Sequence, residues 1–122
     1  MLRYHLSGIG PNWAAEFGTV ESEADYKVLR AYSPYHRVDP NQTYPAILIL
    51  SADNDERVKP FHARKFFARL SSARAKGPVL LRTEGSAGHG GASQASTQIE
   101  AQTDKYSFIM EQTGLTPRIT TP

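Results

Sequence analysis

The chain has 122 residues, 39% hydrophobic and 21% charged, which suits one globular domain but falls short of the roughly 200 residues or more that a complete α/β domain with a large sheet commonly takes. A formal net charge of +2, with Lys and Arg dispersed along the chain, gives no footprint for nucleic acid, and the lack of cysteine excludes disulfides, thiolate catalysis and cysteine-based zinc sites. The longest apolar run, Ala46 to Leu50, cannot span a bilayer and no secretory segment opens the chain, so a soluble, cytoplasmic protein without membrane or cofactor is expected.

Gly8, Gly10, Pro11 and Gly18 surround Trp13 and Phe17, a density of breakers that predicts an aromatic-bearing loop rather than a continuous helix. Ser22 can cap a helix over residues 23–32, with Asp25 in its first turn and Ser33-Pro34 as its stop. Residues 35–44 read as a polar connection. Ala46 to Leu50 is continuously apolar and follows Pro45, the pattern of a parallel strand buried on both faces. Pro60 then suits a first helical position, and Ala63, Phe66, Phe67 and Leu70 form an i, i+3, i+4, i+7 stripe on a helix expected to run until Gly77. Residues 78–83 predict a second buried strand, giving strand, helix, strand with a right-handed crossover. A last helix from about Ser93 carries Ile99, Tyr106, Ile109 and Met110 on one side and ends at Gly114 and Pro117, leaving residues 116–122 as a tail.

Two loops follow the two strands and hold the residue types of proton-transfer chemistry. His89 lies in Ala87-Gly88-His89-Gly90-Gly91, where glycines let the ring approach a neighbour closely, and an imidazole titrating near neutrality suits a general base. A histidine exposed on a flexible loop is the other reading of the same spacing. Asp55 can fix the tautomer of such an imidazole and stabilise its cation, with Asp53 as a rival two residues earlier. Equally, Asp53-Asn54-Asp55 reads as a turn whose side chains bond local backbone. Acid before base is the chain order of Ser-Asp-His hydrolases, yet no Gly-x-Ser-x-Gly elbow is present. His62, His89, Asp53 and Asp55 lack metal-ligand spacing, so no metal is expected. Lys59, Arg64, Lys65, Arg69, Arg74 and Lys76 read as a solvated helix face.

Five stretches in order carry a family resemblance: Met1-Leu2-Arg3-Tyr4-His5, Ser33-Pro34-Tyr35-His36, Tyr44-Pro45-Ala46, Asp55-Glu56-Arg57-Val58 and Ala87-Gly88-His89-Gly90. Over about residues 1–115 the chain resembles the C-terminal part of the catalytic domain of the prolyl oligopeptidase family, serine peptidases with an α/β-hydrolase domain beneath a β-propeller. The resemblance implies a partial α/β-hydrolase domain, with Asp55 as triad acid and His89 as triad base. It further implies that Arg57 bonds the bound peptide, that Trp13 stacks on the substrate proline ring, and that Phe17 and Val58 line the same pocket. Where the family commonly reads Asp-His-Asp-Asp-Arg-Val, this chain has Asp53-Asn54-Asp55-Glu56-Arg57-Val58; Phe17 stands where many members carry tyrosine, without its hydroxyl. For Trp13 and Phe17 ordinary core packing is the competing account.

On this reading the nucleophilic serine and the oxyanion donors lie before the point where the chain begins. The expected function is that of a fragment of a prolyl oligopeptidase-like endopeptidase acting on proline-containing peptides and inactive until the missing N-terminal part is supplied. The alternatives are an inactive α/β remnant acting through contacts, or a related oligopeptidase or esterase.

Overall fold

A computed structural model describes residues 1–91 and 94–116; all but Thr116 of the expected tail at 116–122, and the expected helix start at Ser93, lie outside the described residues. Two 3₁₀ turns, Tyr4–Leu6 and Gly10–Trp13, lead into a one-turn helix α1 (Ala14–Phe17). The predicted aromatic loop is thus a chain of single turns, the second running straight into α1, which Gly18 ends. Helix α2 (Glu23–Tyr32) has the anticipated bounds, and the Ser22 hydroxyl accepts from the Asp25 amide at 3.3 Å. Leu29 of α2 and Ser33 at its end are fully buried, and Val38 is nearly so. The expected polar connection contains a one-turn helix α3 (Pro34–Arg37) and a two-residue strand β1 (Thr43–Tyr44).

Strand β2 (Ile47–Ala52), helix α4 (Phe61–Ser71), strand β3 (Arg74–Ala75) and strand β4 (Val79–Glu84) form the centre. β1 pairs with β3 and β2 with β4, both in parallel. Between the two pairs Pro45 and Ala46 lie opposite Lys76, Gly77 and Pro78, so one strand carries an extra residue and the ladder breaks where each chain has a proline without an amide donor. Helix α4 ends six residues before the expected Gly77. Its serines end it: the hydroxyls of Ser71 and Ser72 donate to the carbonyls of Phe67 and Arg69. Gly77 instead marks a close approach, since a Cβ there would stand 2.8 Å from that of Ala46. Pro60 flanks α4 rather than opening it, and the Ala63, Phe66, Phe67, Leu70 stripe holds, with Leu70 only 1% exposed.

Helix α5 (Ala95–Thr113) stops at Gly114 as expected. Its orientation differs from the prediction: Ile99, Tyr106 and Ile109 are exposed, while Ala101, Asp104 and Phe108 face the sheet. The anchor is polar, Arg82 Nε donating to Asp104 Oδ2 at 2.7 Å, and a charge-assisted pair outweighs a weakly segregated apolar stripe. Because strand side chains alternate, Leu48, Leu50, Leu80 and Arg82 share this face. Leu50 and Leu80 are 53% and 46% exposed, so the pair is not buried on both faces as the continuous apolar run predicts. Among the described residues only β4 pairs with β2, and no further strand covers those side chains. No helix among the described residues is long and apolar enough to cross a membrane.

Candidate active site

Parallel pairing puts the C-terminal ends of β2 and β4 at one rim, where α/β sheets present their functional loops. Three hydrogen bonds stitch the two loops together. The Asp53 amide donates to the Glu84 carbonyl at 2.9 Å, the Asn54 amide to Ala87 at 3.1 Å, and the Asn54 side-chain amide to Gly85 at 3.0 Å. Ala87 is buried beneath them, and a turn closed by the Gly91 amide on the Gly88 carbonyl carries His89. Loops fixed this way leave His89 Nδ1 2.9 Å from Asp55 Oδ2.

The other oxygen, Asp55 Oδ1, accepts from the amides of Arg57 at 3.0 Å and Val58 at 2.8 Å. The turn role and the partnership with the imidazole, alternatives in the sequence, therefore coexist in one carboxylate. Burial opposes the charge of Asp55, but donation from Val58, His89 and Arg57 prevails and holds its carboxyl below the ordinary aspartate value. An ionised carboxylate only accepts, so Nδ1 carries the proton, and in the neutral imidazole that leaves Nε2 as the acceptor. The rival acid, Asp53, faces Arg64 of α4, its Oδ1 2.5 Å from Nη2. Among the described residues no three His, Asp or Glu side chains gather as a metal-ligand set.

The amino-terminal turns form a cleft against this rim. The Ile9 amide donates to the Arg57 carbonyl at 3.2 Å, and Gly8, at φ +60°, passes so close that a Cβ would stand 2.3 Å from that oxygen. The resulting cleft, about 260 Å³, is lined by Trp13, Arg57, Val58 and His89 together with Tyr4, Ile9 and His62. It is smaller than pockets that enclose whole ligands and suits one small ring. Phe17 does not line it. Its ring lies 6.3 Å from that of Trp13 and edge-on to Tyr4 at 6.2 Å, packed against two residues of the wall.

Tyr4, Ile9 and His62 carried no signal as pocket residues in the sequence, because only the tertiary approach of the first turns to the 55–62 segment brings them in. His62 is pushed below the ordinary histidine value, by burial first and then by the amino terminus and Lys65. A second cleft of about 280 Å³, between the sheet and α5, meets the first at His89 and includes Leu50, Asp55 and Ala101.

Residues 1–116 match the prolyl oligopeptidase family. Prolyl endopeptidase from Elizabethkingia miricola is 37% identical over 117 residues, which are 94% of this chain and 17% of that protein. Prolyl endopeptidase from Dictyostelium discoideum is 38% identical over 114 residues, 89% of this chain and 15% of that protein. A prolyl endopeptidase structure, from a study of two such enzymes and their inter-domain dynamics, superposes with a TM-score of 0.89 at 49% identity, covering 95% of this chain and 17% of that one. The chain thus spans about a sixth of the length of these relatives, and its partial parallel sheet with packed helices is a portion of an α/β-hydrolase catalytic domain. On the matched profile, the shared sequence and the superposition, this chain belongs to the prolyl oligopeptidase family.

Proposed function

We propose that this chain supplies the orienting acid, the general base and the proline-ring pocket of a serine-type endopeptidase that cleaves after proline. The nucleophilic hydroxyl and the oxyanion donors come from outside these 122 residues. The observation that carries the reading is the 2.9 Å contact of Asp55 with His89 at the edge of a cleft walled by Trp13 and Val58. With Nδ1–H held by Asp55, His89 Nε2 accepts the proton of an incoming serine as its oxygen attacks the proline's own carbonyl carbon, returns it to the leaving amine, and then takes a proton from the water that hydrolyses the acyl-serine. Asp55 stays ionised and stabilises the imidazolium between those steps.

Trp13 offers a flat, rigid apolar face to the pyrrolidine, and the Arg57 guanidinium, a fork of permanent donors, holds the peptide carbonyls. The presence of Trp13 in the same cleft as His89 favours proline specificity over a general esterase, which needs no ring-sized wall there.

The test is a chimera in which residues 1–116 replace the matched stretch of the Elizabethkingia miricola prolyl endopeptidase, assayed on a proline-containing reporter peptide. Cleavage is expected, with Asp55→Asn lowering kcat about 10⁴-fold and His89→Ala at least as much. The isolated chain is expected to show negligible turnover. A chimera that keeps its rate without the imidazole of position 89 overturns the proposal.

A further inference from the structure

The wall residue Trp13 stands on a segment that cannot hold its own shape. Helix α1 has four residues, Trp13 is its N-terminal flank and Gly18 its C-terminal flank, and a single helical turn is unfavourable by itself. Tyr4, nine residues before Trp13, closes it from outside. Its hydroxyl lies 2.7 Å from the Gly18 carbonyl and 3.3 Å from the Trp13 carbonyl, so one proton is shared between the two ends of the turn. Its ring packs edge-on against Phe17 at 6.2 Å and also faces the cleft beside Trp13 and Val58.

From this geometry we infer that Tyr4 is the positioning residue of the ring pocket, a clasp that sets the height and tilt of Trp13 and so the preference for a pyrrolidine. The inference rests on the proposed proline pocket for its functional half, while the clasp itself is independent of it. The phenol is held above its ordinary pKa, by burial first and then by Tyr32, Asp25, Glu16 and Glu21, which agrees with a hydroxyl acting as donor. Phe17, lacking a hydroxyl, cannot take over this bond.

Trp13 is the only tryptophan of the chain, so its fluorescence reports this site alone. Tyr4→Phe keeps the ring and removes the donor. In the ligand-free chain it is expected to red-shift Trp13 emission and raise its quenching by acrylamide, while Tyr106→Phe, on the exposed side of α5, changes neither. An N-acyl-proline amide, titrated by Trp13 quenching, is expected to bind about 2- to 13-fold more weakly to the Tyr4→Phe chain, the equivalent of one net hydrogen bond. Should that variant not fold, ¹³Cζ-labelling of Tyr4 in the unaltered chain gives the same answer: its titration midpoint is expected above about 10 and Trp13 emission is expected to change with the same midpoint.

Unchanged Trp13 emission and quenching in Tyr4→Phe, or emission that ignores the titration of Tyr4, overturns the clasp. Altered emission with no N-acyl-proline binding by the unaltered chain leaves the clasp standing, overturns its role in proline preference and counts against the pocket itself.

Discussion

Asp55 divides its two oxygens between different tasks, Oδ1 closing the turn onto Arg57 and Val58 and Oδ2 meeting His89. Its folded carboxyl titrates below the unfolded one, so the stabilisation it gives is present above the ordinary aspartate range and is lost as pH falls through the lowered value. Asp55→Asn keeps a turn acceptor but abolishes that titration. The melting-temperature gap between the two proteins should shrink below about pH 4, near the ordinary aspartate value. A gap that stays undiminished as pH falls below that value contradicts the assignment of Asp55 as a charged, hydrogen-bonded carboxylate.

At the scale of elements, α4 carries the crossover between the two central strands and seats Leu70 under them at 1% exposure. Leu70→Ala is expected to cost about 2–5 kcal/mol, read as a fall in the urea midpoint with little change in slope, because a buried leucine leaves a cavity that its neighbours fill only in part. The apolar stripe of α4 was legible because α4 packs against strands within this chain, so periodicity and burial coincide. In α5 they part: Ile99, Tyr106 and Ile109 look outward, and the Arg82–Asp104 pair sets the orientation that hydrophobic spacing alone misassigns. The end of α4 escapes the local pattern, since serine hydroxyls reaching back to carbonyls are a weaker written signal than a glycine.

For the whole molecule, Leu50, Leu80 and the outer side of α5 form apolar surface beside a strand pair with two free edges among the described residues. Such surface drives association when uncovered. The chain alone is expected to self-associate, and Leu50→Glu to shift the population toward monomer in sedimentation velocity. A sharp, reversible melt of a monomeric unaltered chain argues against an incomplete sheet. The same surface suits the proposal that a nucleophile-bearing portion of a catalytic domain completes the site at this rim.

The sequence by itself determined the two central strands, the three long helices and the family, because short-range patterns such as the Ser22 cap, the Ala46 to Leu50 run and the glycines around His89 act through neighbouring residues. It also named Asp55, His89, Trp13, Arg57 and Val58 as candidates. Only the tertiary structure decided that Asp53 turns to Arg64 while Asp55 meets His89, that Phe17 packs near Trp13 without lining the pocket, and that Tyr4 and His62 enter it. Those outcomes depend on hydrogen bonds between loops some thirty residues apart and on the Gly8 approach to Arg57, contacts with no local signature in the chain.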